Sequence, residues 1–486
     1  MRRASMSKTP SLRLSVLATA ALLAGCSLVP KYERPAAPVP TAFPTVSGAT
    51  APAAAEGQAS APVPWEQFFT DARLQRLVRL ALENNRDLRV AVLNLEQARA
   101  QFQIRRADQF PTVNAAANAS RGNSQITGDI VNNFQVGLAV SAWELDFFGR
   151  IASLKEQALA QYLASDEGRK ATELSLVASV ANGWLTLLAD EELLDISRRT
   201  LATREESIKL AKLRFDNGVA SELDYRQAQS LTEAARATYA QQIRQRSQDE
   251  NALALLLGQP LPDDLRAGLQ GAKLADAAAM ASLPAGLPSD LLVRRPDLRQ
   301  AEQQLIGANA NIGAARAAFF PRIALTTQAG TVSNELSGLF KSGSWGFSIA
   351  PSLTLPIFDA GRNQANLEVA QASRGIAVAQ YEKAIQTAFR EVSDALAGEA
   401  TLGEQARAQQ AQIEAEQARL RLSELRYSNG VASYLDLLDA QRSLFTAEQS
   451  AVQVRLAQLQ NQVALYKALG GGWSEASLGK QETTNR

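Results

Sequence analysis

The sequence predicts a mixed α and β membrane protein made of two tandem copies of one unit: helix, β-hairpin, long helix, return helix. Three observations carry this. The stretch LRFDNGVASELDYRQAQSL from Leu213 returns as LRYSNGVASYLDLLDAQRSL from Leu425, a displacement of 212 residues. In each copy helical periodicity halts at a Phe-Pro pair, Phe110-Pro111 and Phe320-Pro321, and gives way to alternation with a period of two. Long tracts dominated by Ala, Gln, Leu, Arg and Glu, with only 6% aromatics, read as extended helix.

The chain has 486 residues, 46% of them hydrophobic, enough for a substantial core. Fifty basic residues against 49 acidic ones leave a formal charge of +1, which gives no reason to expect a nucleic-acid partner. There is no His, so a His-based triad or metal site is excluded. The single Cys, Cys26, excludes an internal disulfide and a thiolate cluster. No catalysis and no cofactor are expected.

Residues 1–25 read as a secretory signal: Arg2, Arg3, Lys8 and Arg13 precede an apolar run, Leu14–Gly25, too short to span a bilayer. Leu23-Ala24-Gly25-Cys26 resembles a bacterial lipobox, which implies removal of the signal and lipidation of Cys26. Ser27 after it favours sorting to the outer membrane. Residues 26–64 form a lipidated tether, rich in Pro and Ala and too broken by proline for helix.

The first repeat covers residues 65–258. Helix is expected from Asp71 to about Asp108, then strands at about 112–121 and 133–146. In the second repeat, residues 289–470, helix begins at Pro296 and strands are expected at about 322–330 and 345–357. Val136, Leu138 and Val140 alternate with Gly137, Ala139 and Ser141; Phe347, Ile349, Leu353 and Leu355 alternate with Ser348, Ala350, Ser352 and Thr354. One large apolar face and one small or weakly polar face suit a barrel wall, and aromatics near the strand ends (Phe110, Trp143, Phe147, Phe148, Phe319, Phe320, Trp345, Phe358) suit an interface belt. The displacement is 210 residues at Asp87/Asp297, so two residues enter the second copy between Pro321 and Gly361, where a loop is expected. Four strands cannot close a spanning barrel, whose smallest form has about eight. If they lie in a membrane, several copies must share one barrel, since an open edge in hydrocarbon leaves backbone groups unsatisfied.

Gly149-Arg150 and Gly361-Arg362 open the longest helices. Leu187, Leu194, Leu201, Ile208 and Phe215 recur every seven residues, with Ile413, Leu420 and Tyr427 equivalent in the second copy, a coiled-coil spacing. Each helix ends at Asn-Gly (Asn217-Gly218; Asn429-Gly430) and restarts after a Ser that can cap the next one (Ser221; Ser433), with Asp224 or Asp436 close behind. These are two tight helix-to-helix tips. Residues 259–288 link the repeats, and 471–486 read as a polar tail.

The ordered duplicate of these elements, with Trp65–Phe69, the two Phe-Pro ends, Phe358-Asp359-Ala360-Gly361-Arg362 and Tyr427–Gln441, resembles the TolC-type outer-membrane factor family, in its lipidated branch serving efflux pumps. The resemblance spans essentially all of Trp65–Gly470. It implies a homotrimer whose protomers give four strands each to a twelve-stranded outer-membrane barrel, continued through the periplasm by twelve helices as a coiled-coil α-barrel. It further implies an anchor in outer-membrane lipid and two protein partners, a periplasmic adaptor (membrane fusion) protein and an inner-membrane efflux pump of the RND type. The tips would close the periplasmic end, with Asp224, Asp436 and Asp439 as acids and Tyr427 as an aromatic at the aperture. Ala432 stands where some members carry an Arg that ties the closed tip, so closure here would rest on other contacts. Asp224 and Asp436 can equally be first-turn acids favoured by the helix dipole, and Tyr427 a heptad core residue.

The leading reading is thus a passive exit duct of a tripartite efflux system. A type I secretion duct of the same fold, a lipid-anchored periplasmic coiled-coil scaffold without a pore, and an envelope hydrolase using carboxylates stand as alternatives.

Overall fold

The computed structural model describes residues 28–44, 63–123, 128–277, 280, 281, 283 and 288–471. The signal, Cys26 and nearly all of the polar tail lie outside the described residues. The chain divides into two units, one within 1–36, 94–166 and 300–382, the other within 37–93, 167–299 and 383–486.

The first unit holds the sheet. Strands β1 (Val113–Asn123), β2 (Ile130–Leu145), β3 (Arg322–Ser333) and β4 (Trp345–Thr354) pair antiparallel in the order β1-β2-β3-β4. The two hairpins of the repeat therefore lie side by side. Among the described residues β1 and β4 are edges with no strand beyond them. Residues 334–344 connect the second hairpin and include a short 3₁₀ turn, whereas 124–129 suffice for the first. β4 stops at Thr354 rather than 357, because Pro356 has no amide hydrogen to continue a ladder.

The register settles the faces. Val113, Val140 and Thr327 align with Ile349, and Ala115, Leu138 and Ala329 with Phe347. The opposite face carries Asn114, Ala139, Gln328 and Ser348. One side of the sheet is thus apolar and the other small or polar. Gly137 pairs with Gly330, and the backbones approach too closely there for a side chain: a Cβ at Gly330 would stand 2.2 Å from the Val136 carbonyl oxygen. A β-bulge between Val140 and Trp143, with Ala142 at φ 49°, shifts the register between β2 and β3. At the base of the sheet Glu144 accepts two hydrogen bonds from Arg150, at 2.8 and 2.7 Å, and an ion pair from Arg322 at 2.7 Å. It ties the end of β2 to the start of β3 and to helix α4 (Arg150–Asp216).

Upstream, the stretch expected as one helix from Asp71 is two, α2 (Ala72–Asn84) and α3 (Arg86–Ala107), preceded by the short α1 (Trp65–Phe68). Asn85 makes the break. Its backbone is extended, its side chain caps α3 by accepting from Leu88 N at 2.9 Å, and its amide donates to Leu256 O at 3.0 Å. Leu256 lies at the end of the return helix α5 (Glu222–Leu257). The second repeat solves the same problem with a different residue. Arg295, between α7 (Pro288–Arg294) and α8 (Pro296–Ala317), donates to Ala468 O at 3.0 Å at the end of α10 (Tyr434–Ala468). Beside each of these contacts a left-handed glycine presses on the broken helix. A Cβ at Gly258 would meet Asn84 O at 2.4 Å, and one at Gly470 would meet Arg294 O at 2.9 Å.

The second unit is held by a core in which Phe68, Phe69, Leu77, Trp184, Leu187, Leu188, Leu257 and Tyr466 are buried. Phe68 stacks on Tyr466 at 4.2 Å between centroids. The link between the repeats is not slack. It contains α6 (Asp263–Ala267) and buries Leu261, Leu265, Leu269 and Leu274 in that core.

Candidate functional site: the two helix tips

The long helices α4 and α9 (Arg362–Ser428) each end in the same backbone lock. Gly218 N donates to Phe215 O and Val219 N to Arg214 O; Gly430 N donates to Tyr427 O and Val431 N to Arg426 O. This pairing closes a helix around a left-handed residue, and Gly218 (φ 71°) and Gly430 (φ 73°) supply it without a Cβ penalty. Asn217 and Asn429 each add a side-chain hydrogen bond to a carbonyl that their own backbone amide also uses, donating to Leu213 O at 2.7 Å and Leu425 O at 2.6 Å.

Each return helix starts with a reciprocal capping box. Ser221 Oγ accepts from Asp224 N at 3.2 Å while Asp224 Oδ2 accepts from Ser221 N at 3.2 Å; Ser433 and Asp436 repeat this at 3.2 and 3.1 Å. Asp224 and Asp436 are therefore committed to the backbone of their own turns. Such a cap contributes about 1 kcal/mol to its helix.

Long side chains cross-link the two tips. Arg214 Nη1, from the first tip, donates to Tyr427 Oη of the second at 2.5 Å, and the guanidinium lies 4.9 Å from the centre of the Tyr427 ring. Tyr427 in turn packs against Tyr434 at 5.3 Å between centroids. Beneath them Ala211, Ala228, Tyr434, Leu437 and Leu438 form a small buried cluster, with Ile208, Leu231, Leu420 and Tyr427 packed on it. Deeper still, the buried Arg204 donates to the buried Gln441, and Thr232 Oγ1 donates to Arg204 O at 3.2 Å. Burial lowers the Arg204 pKa, and no carboxylate pairs with it among the described residues.

Asp439 is held by two guanidinium groups, Arg419 at 2.5 Å and Arg442 at 2.6 Å. The hydrogen bonds from Arg419 and Arg442 hold its carboxyl below the usual range. In the first repeat the equivalent positions are Gln227, Ser207 and Ser230, so this ion triad exists at the second tip alone. Tip pairing thus falls to residues that sequence reading passed over, Arg214, Arg419, Arg442 and Gln441. Arg214 shares its repeat position with Arg426, but that correspondence does not single out Tyr427 as its partner. Cys26, the expected lipidation site, lies outside the described residues.

Two matching helical tips on coiled helices, joined in one chain to a single sheet with an apolar and a polar face, define a class of tandem-repeat membrane protein. The chain belongs to the outer membrane efflux protein family, whose model matches residues 77–259 and 287–471. The toluene efflux pump outer membrane protein TtgC of Pseudomonas putida is 48% identical over 468 residues, 95% of this chain and 96% of its own length. Outer membrane protein OprJ of Pseudomonas aeruginosa is 45% identical over 477 residues, 96% of this chain and 97% of its own. Among solved structures, the open state of the Neisseria gonorrhoeae MtrE outer membrane channel superposes with a TM-score of 0.80. It is 43% identical, with 92% of this chain and 98% of that one covered.

Proposed function

We propose that this protein is the outer-membrane exit duct of a tripartite efflux system, passing substrates from an inner-membrane pump of the RND type and a periplasmic adaptor to the exterior. The observation that carries this is the sheet: four strands, two edges with no partner strand among the described residues, and one apolar face. In hydrocarbon the edge amides must be paired, and joining β4 of one copy to β1 of the next satisfies them. Three copies give a twelve-stranded barrel, and their α4, α5, α9 and α10 helices a twelve-helix α-barrel. In this reading residues 1–25 are the signal, 26–64 the tether lipidated at Cys26, 65–258 and 289–470 the two repeats, 259–288 their link and 471–486 the tail.

The gate is then a ring of six tips. Asp224 and Asp436 act as caps that keep each tip rigid, while Tyr427 and Asp439 hold the helices together through Arg214 and Arg419. Opening requires those two links to release. Planar-bilayer recording of the purified protein tests the duct and the gate together. Ion conductance is expected, rising severalfold in open probability for Arg214→Ala and for Asp439→Ala. Absence of conductance in the wild type and in both variants overturns the duct, and unchanged gating in both variants removes the role given to these links.

A further inference from the structure

Where the sheet meets the helices, within the first unit, lies a cleft of about 450 Å³. Its wall includes Glu144, Phe148, Arg150, Phe320, Arg322 and Arg362. The volume falls in the range of small-molecule sites, roughly 300–1,000 Å³. Neither the tips nor the closing of the sheet makes use of it.

The acids here are already spent. Glu144, whose side chain is 8% exposed, is shared between Arg150 and Arg322. Asp146 Oδ2 accepts from Ala152 N at 2.7 Å in the first turn of α4. Asp359 is used likewise at the start of α9, accepting from Gly361 N at 3.0 Å and Asn363 N at 2.9 Å. The Arg362 guanidinium finds no hydrogen-bond or ion-pair partner among the described residues. The repeat explains why. Arg362 is the counterpart of Arg150, 212 residues on, but the place of Glu144 is taken in the second copy by Pro356. Asn363 Nδ2 donates to Ala318 O at 3.1 Å, which pins the opening turn of α9 to the end of α8 and keeps Arg362 at the cleft. The lining carries three guanidinium groups against two carboxylates, an excess of one positive charge.

Beside these cations stands an aromatic wall. Phe148 and Phe320 stack at 4.8 Å between centroids, and Phe147 and Phe320 are exposed. A flat ring can lie against that wall while an oxyanion carried on it takes two parallel hydrogen bonds from one guanidinium. Glu144 pairs with Ala324, Ala324 with Ser352 and Arg322 with Thr354, so Glu144 and Arg322 rise from the small and polar face of the sheet.

We propose that this cleft binds an amphiphile made of an aromatic ring and one anionic group, an aryl carboxylate for example, with Arg362 taking the anion and Phe148 and Phe320 the ring. In the shared barrel the polar face lines the duct, so the cleft is a station that substrates of this class meet in transit. That placing rests on the duct reading, whereas binding in the cleft does not.

The test photolyses the full-length protein in mild detergent with 4-benzoylbenzoate, an aryl carboxylate whose ketone forms the crosslink, and maps the products by mass spectrometry. Labelling is expected to concentrate in the peptides bearing Phe147-Phe148 and Phe319-Phe320. It should fall severalfold for Arg362→Ala and recover in part for Arg362→Lys, with heat-modifiable migration in gels checking that each variant folds. On the wild type, uncharged benzophenone should label the cleft severalfold less. Labelling spread over the apolar face at Phe347 and Ile349, equal cleft labelling by both probes, or labelling unchanged in folded Arg362→Ala each overturns the site. Absence of conductance in bilayers with cleft labelling intact overturns the duct alone.

Discussion

At the scale of single residues, the chain commits some charges to local duty and leaves others under tension. Asp224 and Asp436 accept from the first amides of their own helices, whereas Asp190 on α4 is buried. Burial and a hydrogen bond with Asp249 on α5 push its carboxyl up to about 8 from 3.8. Between those values the folded protein holds a proton that the unfolded chain has released, so stability falls as pH rises through the window and levels off above it. The slope is at most about 1.4 kcal/mol per pH unit. Asp190→Asn is expected to flatten the dependence of melting temperature on pH between 5 and 8. An unchanged slope would place the titrating group elsewhere.

At the scale of elements, glycine and asparagine decide where the repeat bends. Asn85 and Arg295 hold the same place in the two copies and make the same contact with different chemistry, which shows that the shape of the joint and not the residue type is what both copies keep. The sheet has less freedom. Gly137 and Gly330 face each other across β2 and β3 so closely that neither can carry a side chain without parting the strands. Gly330→Val is expected to abolish the sheet, seen as loss of strand signal in circular dichroism and of heat-modifiable migration in gels. Retention of both would show that the strands can separate there at little cost.

At the scale of the whole molecule, the proposed shared barrel would cover the exposed apolar face of the sheet and pair its two edges, which no strand flanks among the described residues. Sedimentation or light scattering in mild detergent is expected to report about three times the mass of one processed chain. A stable monomer that keeps its sheet would overturn the shared barrel.

Much of this was legible without coordinates because it is local. The Asn-Gly stops, the Ser…Asp capping boxes and the two-residue alternation each link residues within a turn of helix or a step of strand, so their types and spacing already contain the interaction. The helix start at Pro296 was legible from the proline itself, but the break at Asn85 was not, since helical periodicity continues through it and the reason for stopping lies on another helix. The same holds for Arg214 with Tyr427 and for Arg419 with Asp439. Each is a meeting of long side chains brought together by packing, and many positions along the partner helix would have served equally well. By itself the sequence determined that there are two copies, where each turns, and which strand residues share a face. Only the tertiary structure decided that the hairpins lie in the order β1-β2-β3-β4 and that the tips are tied across the repeats. Those choices depend on how helices and strands pack at long range, where sequence spacing carries no distance.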